Sequence, residues 1–227
     1  MSLAIKIQES IQLLRQAGQA FAQARFSTSF GAEDQVLIDL IAKHAPEVRV
    51  FTLDTGRLHQ ETYDVMNRTL ARYRIPIQVY FPRHDLLEAH LNTHGPNAFY
   101  ESVELRKSCC QVRKVEPLQR ALHGAGSWVT GLRREQAVTR EGLASRAPDP
   151  TYGLEKFNPL LEWSQEEIWN YLHTNAVPYN VLHDQNFPSI GCAPCTRAIS
   201  ANEELRAGRW WWESPVTKEC GLHAKSA

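Results

Sequence analysis

No excess charge of either sign marks this sequence, in which 25 basic residues are matched by 25 acidic ones over 227 positions. Bulk electrostatics therefore gives no reason to expect a nucleic-acid or membrane partner, and any anion must be held by local clusters. No apolar run is long enough to span a bilayer. The start, Met1-Ser2-Leu3-Ala4-Ile5-Lys6, lacks the apolar core of a signal peptide, so a cytoplasmic chain is expected. No repeat or low-complexity tract is present. Cysteine is scarce, at five residues, yet four of the five fall in two tight pairs: Cys109-Cys110 and Cys192-x-x-Cys195. Cys220 stands alone. In a reducing compartment structural disulfides are not expected, and paired cysteines point to metal or catalysis.

What is present reads as alternating helices and strands. Apolar residues at helical spacing from Leu3 to Ala24 predict an amphipathic helix. Arg25 to Phe30 predicts a short strand, a tight turn at Ser29–Asp34 follows, and Gln35 to Ala42 predicts a second helix. Val48 to Leu53 is a buried-strand pattern that opens through Asp54-Thr55-Gly56 into a helix reaching Arg74. Ile77–Phe81, Ser127–Thr130 and Lys156–Leu160 supply three more strand candidates. Ser164-Gln165-Glu166-Glu167 has the form of a capping box. This order predicts an open, mostly parallel α/β sheet with helices on both faces. Residues 136–153 read as a long loop. Residues 1–207 are expected to form one nucleotide- and cluster-binding domain, and residues 208–227 a mobile C-terminal tail.

Three places suit an anionic or nucleotide ligand. In Ser27-Thr28-Ser29-Phe30-Gly31-Ala32-Glu33-Asp34 a strand runs through small residues into a helix start, where free backbone N–H groups favour anions. A purely structural turn is an equal reading. The turn resembles the pyrophosphate loop of the adenine-nucleotide alpha-hydrolase-like (PP-loop-like) superfamily, but Phe30 replaces a glycine and Glu33-Asp34 adds a carboxylate. That argues for a ligand smaller than ATP. Asp54 and Thr55 sit at the end of a strand, where open α/β sheets bind ligands, although an N-capped helix start explains them as well. Arg133, Arg134 and Arg140 follow a strand end, and guanidinium forks suit phosphate or sulfate.

The cysteines carry the strongest signal. Adjacent helical residues such as Cys109 and Cys110 can reach two corners of one compact object, and a C-x-x-C turn supplies two more. Four thiolates suit a tetrahedral zinc or a [4Fe–4S] cube. A Cys-Cys dipeptide is unusual for zinc, and Lys107, Arg113, Lys114 and Arg197 would offset the charge of a thiolate-ligated cluster. Cys220, with Lys218 and His223 close in sequence, is a candidate for a lowered thiol pKa. Trp210, Trp211 and Trp212 read as packing residues.

Taken together, these segments, with Gly131-Leu132-Arg133-Arg134 and Glu219-Cys220-Gly221-Leu222-His223, resemble the assimilatory adenylyl-sulfate reductases, the iron–sulfur branch of the phosphoadenylyl-sulfate reductase family. The similarity runs from about Arg25 to His223. The resemblance implies reduction of adenosine 5′-phosphosulfate to sulfite and AMP through an S-sulfocysteine on Cys220, with thioredoxin or glutaredoxin as donor. It implies one [4Fe–4S] cluster per chain on Cys109, Cys110, Cys192 and Cys195, and a homo-oligomer (dimer or tetramer). Substrate contacts carried over by position are Ser27, Ser29, Phe30, Gly31, Asp54, Thr55, Lys114, Gly131, Arg133, Arg140, Arg206 and Arg209, with His223 supporting the nucleophile. Alternatives from the same superfamily are a 3′-phosphoadenylyl-sulfate reductase and a tRNA-thiolating PP-loop enzyme.

Overall fold

The computed structural model describes residues 2–136 and 142–214. These divide into two compact units. One comprises the described residues of Met1–Thr52, Glu61–Gln78 and Gly124–Val181, the other those of Leu53–Gln60, Val79–His123 and Leu182–Ala227.

A six-stranded sheet is built from β1 (Arg25–Thr28), β2 (Arg49–Leu53), β3 (Ile77–Tyr80), β4 (Ser127–Val129), β5 (Arg146–Asp149) and β6 (Leu154–Phe157), in the order β3-β2-β1-β4-β6-β5. β1 pairs parallel with both β2 and β4, and β4 pairs parallel with β6. The register sets Val50, Phe26, Val129 and Phe157 in one row across four strands, and all four are buried in the same core. Onto this core fold the apolar faces of α1 (Leu3–Ala20), α2 (Ala32–His44) and α7 (Gln165–Thr174), with Val65 of α3 (Gln60–Tyr73) buried in the same core. In α1 the buried positions are Ser10, Ile11, Leu14 and Ala17, the spacing of a single helical stripe. In α2 burial is continuous from Asp34 to Ile41, and the polar residues within it are partnered: Gln35 donates to Thr69, and Asp39 accepts from Lys43, Tyr73 and Tyr171. The capping box that opens α7 is present: Ser164 Oγ accepts from Glu167 N at 3.1 Å, and Glu167 Oε2 accepts from Ser164 N at 2.7 Å. The expected α/β class and its mostly parallel sheet are therefore what the chain adopts.

Two local expectations change. The stretch read as a long loop contains β5, which runs antiparallel to β6. Arg-Ala-Pro-Asp carries no strand-forming residue. Its place at the end of the sheet order explains how Pro148 is tolerated, since an edge strand has N–H groups with no ladder partner to lose. The predicted strand Lys156–Leu160 is realised earlier, at Leu154–Phe157, and the next residues turn back toward α7.

The second unit is mainly helical. α4 (His84–His94) and α5 (Val103–Cys110) are followed by a π-helical turn, Gln111–Val115, that leads straight into α6 (Glu116–Leu122). Ser102 caps α5, its Oγ accepting from Leu105 N at 3.1 Å. Pro117 accounts for the widened turn. It has no N–H for Arg113 O, and its ring would press on that carbonyl in a regular helix. Segment Gly208–Ser214, expected as the start of a loosely held tail, is instead anchored: Trp210 is 1% exposed, and Glu213 is ion-paired to Arg106. Burying a large indole and pairing a carboxylate outweigh the freedom of a terminal segment here.

Candidate active site and cysteine cavity

In the sheet-bearing unit, β1 ends at Thr28, and the chain turns through Ser29, Phe30 and Gly31 into α2. Phe30 is buried and holds a left-handed backbone (φ 60°), a conformation a phenylalanine rarely adopts outside constrained sites. Its N–H donates to Thr28 Oγ1 at 3.0 Å. The carboxylate of Asp34, one turn into α2, reaches back to the loop. Asp34 Oδ2 accepts from Ser29 N at 2.6 Å and from Ser29 Oγ at 2.8 Å. Burial pushes the Asp34 carboxyl up to about 6, against the pull of the Ser29 bonds and with the Glu33 charge adding to the rise. Gly131 lies against the same carboxylate: a Cβ there would stand 2.5 Å from Asp34 Oδ1. Ser27 Oγ accepts from Trp128 Nε1 at 2.9 Å.

Arg133, expected to face an oxyanion, is buried and turned toward carboxylates. It pairs with Glu33 at 2.8 Å and Glu135 at 3.2 Å. A guanidinium 100 residues from Glu33 in sequence has found a neutralising partner that no local pattern announces. Arg134 pairs with the Glu162 carboxylate at 2.5 Å.

In the other unit all four paired cysteines line one cavity. Arg57, Phe99, Arg106, Arg113, Lys114, Pro194, Arg209 and Trp210 complete it. Cys109 and Cys110 come from the last turn of α5, and Arg113 and Lys114 from the π-helical turn that follows. Cys192 precedes a short 3-10 turn, Ala193–Cys195, and Cys195 ends it. The Asp54–Leu58 segment is zipped against it: Ala193 N donates to Arg57 O at 2.8 Å, and Leu58 forms an antiparallel bridge with Cys192. Thr55, expected at a ribose or base, has its Oγ1 3.2 Å from Cys192 Sγ, and its carbonyl accepts from Arg113 Nη1 at 2.6 Å. Asp54 Oδ1 accepts from Gly56 N at 2.8 Å.

The lining is rich in cations, and no carboxylate is among its described residues. Burial pushes the Cys109 thiol up, while the Arg113 guanidinium beside it pulls down. The Cys195 thiol is pushed up to about 12 by burial and then by Cys192, with Lys114 and Arg209 opposing. Buried thiols of this kind become thiolates only with a strong positive partner such as a metal. Arg113 Nε and Trp210 Nε1 are buried with no hydrogen-bond partner among the described residues, and both residues line the cavity. A donor set of four sulfurs, ringed by cations and buried N–H groups, fits an anionic thiolate-held metal centre. Among the described residues no group of three or more His, Cys, Asp or Glu is arranged to hold a single metal ion.

Of the basic residues flanking the cysteines, Arg113 and Lys114 reach the cavity. Lys107 is exposed and Arg197 is paired with Glu203 at 2.5 Å, so neither is in its lining. Arg209 lies in the wall, pressed on the Gly191 backbone, where a Cβ would collide with its guanidinium. Arg206 is half-buried and outside the lining. Arg140, Cys220 and His223 lie outside the described residues. Arg57, Phe99, Arg106 and Trp210 are cavity residues that sequence reasoning did not place there, and Thr55 meets Cys192 without being part of the lining.

Residues 23–198 match the phosphoadenosine phosphosulfate reductase domain family. The chain is 50% identical over 216 residues to an adenosine 5′-phosphosulfate reductase of Allochromatium vinosum, covering 95% of this chain and 84% of that protein. It is also 50% identical over 221 residues to the enzyme of the same description from Burkholderia cepacia, covering 97% and 88%. Among solved structures, a phosphoadenylyl-sulfate reductase from Candida auris in a phosphate complex superposes with a TM-score of 0.72 at 31% identity, over 83% of this chain and 90% of that one. An FMN adenylyltransferase of Candida glabrata, 17% identical with a TM-score of 0.57 over 96% and 78%, shares the fold.

Proposed function

This chain belongs to the phosphoadenosine phosphosulfate reductase domain family, and from that premise we propose that it reduces adenosine 5′-phosphosulfate to sulfite and AMP. The observation that carries the choice of substrate is 50% identity, along nearly all of the chain, to two proteins described as reductases of that compound.

The chemistry follows from the reactivity of sulfur. The Cys220 thiolate attacks the sulfuryl sulfur, an S–S bond forms, and the S–O bond to phosphate breaks. AMP leaves with that electron pair, and Cys220 carries an S-sulfo group. A thiolate of a reduced dithiol protein, of the thioredoxin or glutaredoxin class, then attacks Cys220 Sγ. Sulfite departs with the bonding pair, and a mixed disulfide remains for the donor's second thiol to resolve. The two electrons come from the dithiol, so the chain needs no redox change of its own. His223 supports the thiolate.

Cys109, Cys110, Cys192 and Cys195 would hold one [4Fe–4S] cluster, which when bound supplies a fixed, charged body that ties the two cysteine segments together. Around it Arg57, Arg113, Lys114 and Arg209 keep the local potential positive, as an incoming phosphosulfate requires. Lys114, Arg206, Arg209 and Arg140 are the oxyanion binders in this reading, with the Ser27–Gly31 loop, Asp54 and Gly131 taking the nucleotide. Thr55 acts through Cys192, and Arg133 acts through Glu33. No helix among the described residues is long and apolar enough to cross a membrane; the reading places the enzyme in the cytoplasm as a homo-oligomer.

Protein purified without oxygen should contain about four irons per chain, with matching sulfide. It should release sulfite from adenosine 5′-phosphosulfate faster than from its 3′-phosphorylated form when reduced thioredoxin is supplied. Zinc in place of iron would remove the cluster. A preference for the 3′-phosphorylated compound would move the assignment to the activity named for the Candida auris relative.

A further inference from the structure

Asp34 fills the place where the turn after β1 would otherwise receive an anion. A helix start entered through small residues offers backbone N–H groups to a negative ligand. In this loop those groups face a carboxylate of the chain itself. Asp34 Oδ2 accepts from Ser29 N at 2.6 Å and from Ser29 Oγ at 2.8 Å. The Gly31 N–H also favours the charged form of the same carboxylate. Bonds this short are the mark of a charged acceptor, and Asp34 is only 8% exposed, so little water competes for them.

Gly131, beyond the end of β4, makes the room. A Cβ there would stand 2.5 Å from Asp34 Oδ1, so the second carboxylate oxygen takes space that a glycine alone leaves open. The neighbouring charges do not offset Asp34. Glu33 Oε1 accepts from Arg133 Nε at 2.8 Å and from Gln136 Nε2 at 2.9 Å, and Arg133 also pairs with Glu135. The guanidinium that follows β4 is thus matched by two carboxylates of its own surroundings.

We propose that Asp34 is a specificity-determining residue: its carboxylate is a resident anion in the loop, and it excludes nucleotides whose chain carries more groups and charge than a phosphosulfate, ATP above all. This role rests on the functional reading above, in which the loop takes the nucleotide and other basic residues hold the phosphosulfate. Two effects act together. The N–H donors that an added phosphate would use are already committed to Asp34, and a like charge lies where the phosphate oxygens would have to sit. Juxtaposed like charges are a strong device for rejecting a wrong partner. The device has a purpose here, because ATP carries the same nucleoside as the substrate and contacts to base and ribose do not tell the two apart.

The test uses holoenzyme and two variants. Asp34→Ser removes the carboxylate and vacates the seat, whereas Asp34→Asn keeps it filled by a neutral group of the same size. Affinities for AMP and ATP are measured by equilibrium dialysis, and sulfite release from adenosine 5′-phosphosulfate is followed on the parent in parallel. The parent should bind ATP more weakly than AMP. In Asp34→Ser the affinity for ATP relative to AMP should rise about tenfold or more, the size expected for a regained bond to a charged group. In Asp34→Asn, which loses the charge alone, it should rise by less than in Asp34→Ser but by more than about twofold. A ratio within about twofold of the parent in either folded variant overturns the proposal. So does a parent that binds ATP as tightly as AMP, and so does loss of AMP binding in both variants, which would make Asp34 a strut of the loop and not a discriminator. Parent enzyme that binds AMP but releases no sulfite would sink the functional reading instead, and the measured ratios would still decide the role of Asp34.

Discussion

Replacing Asp34 with asparagine should change how the protein's stability depends on pH. The Asp34 carboxyl is buried, and its pKa is raised from an ordinary 3.8 to about 6, chiefly because burial penalises its charge. The nearby charges are Glu33, which adds to the rise, and Arg133, which is committed to Glu33. Between those two values the folded state holds more protons than the unfolded one, so the unfolding free energy falls as pH rises. The stability associated with the proton is fully present below about pH 4 and is lost by about pH 7. A separation of roughly two pH units corresponds to about 3 kcal/mol. Asparagine stays neutral, and its single side-chain oxygen can still accept both Ser29 bonds. The variant should therefore match the parent near pH 4 and exceed it by up to about 3 kcal/mol near pH 7.5. Urea unfolding followed by tryptophan fluorescence at several pH values measures the difference directly, and contributions common to both proteins cancel. Parallel curves, separated by a constant amount from pH 4 to 8, would refute the account of a buried, strained carboxylate.

Four further outcomes are expected. Cys220→Ser should abolish sulfite release while leaving iron content and AMP binding intact, as scored by sulfite assay and equilibrium dialysis. Cys110→Ser should lose iron and thermal stability together, because metal binding and folding are coupled at such sites; a melt unchanged from the parent would exclude Cys110 as a ligand. Gly191→Ala drives a methyl into the Arg209 guanidinium; it should raise KM for the sulfonucleotide more than it lowers kcat, at about 1–3 kcal/mol of stability. Phe26→Ala removes a fully buried ring from the central strand row; it should cost about 3–5 kcal/mol in chemical denaturation, with little effect on iron content.

Much of the architecture was legible in local pattern. β2 and β4 are short runs rich in β-branched and aromatic residues, β1 alternates half-buried and buried positions, and the capping box at Ser164 predicts the helix that forms there. β5 was not legible, because an edge strand of Arg-Ala-Pro-Asp is specified by its partner β6 and not by its own composition. The cysteine pairs were readable by spacing, and the cavity does gather all four. Thr55 and Arg106 were misplaced or overlooked for one reason. Their partners, Cys192 and Glu213, are more than 100 residues away in sequence, and only the folded chain pairs them. Arg133 is the same case with Glu33. The widened turn after Cys110 left a trace in Pro117, whose effect on a helix is general even though its outcome is not.

The unit that gathers the sulfurs is assembled from three separate stretches of chain, and residues 111–191 stand between its two cysteine pairs. Joining ends that far apart costs about 4 kcal/mol of chain entropy before any contact repays it. A ribosome delivers Cys109 and Cys110 long before Cys192 exists, so the first pair must wait, reduced and without its counterpart, through much of synthesis. Maturation of the proposed metal centre would consequently be a late event in the life of each new molecule, and protection of two early thiols a task that falls to the cell.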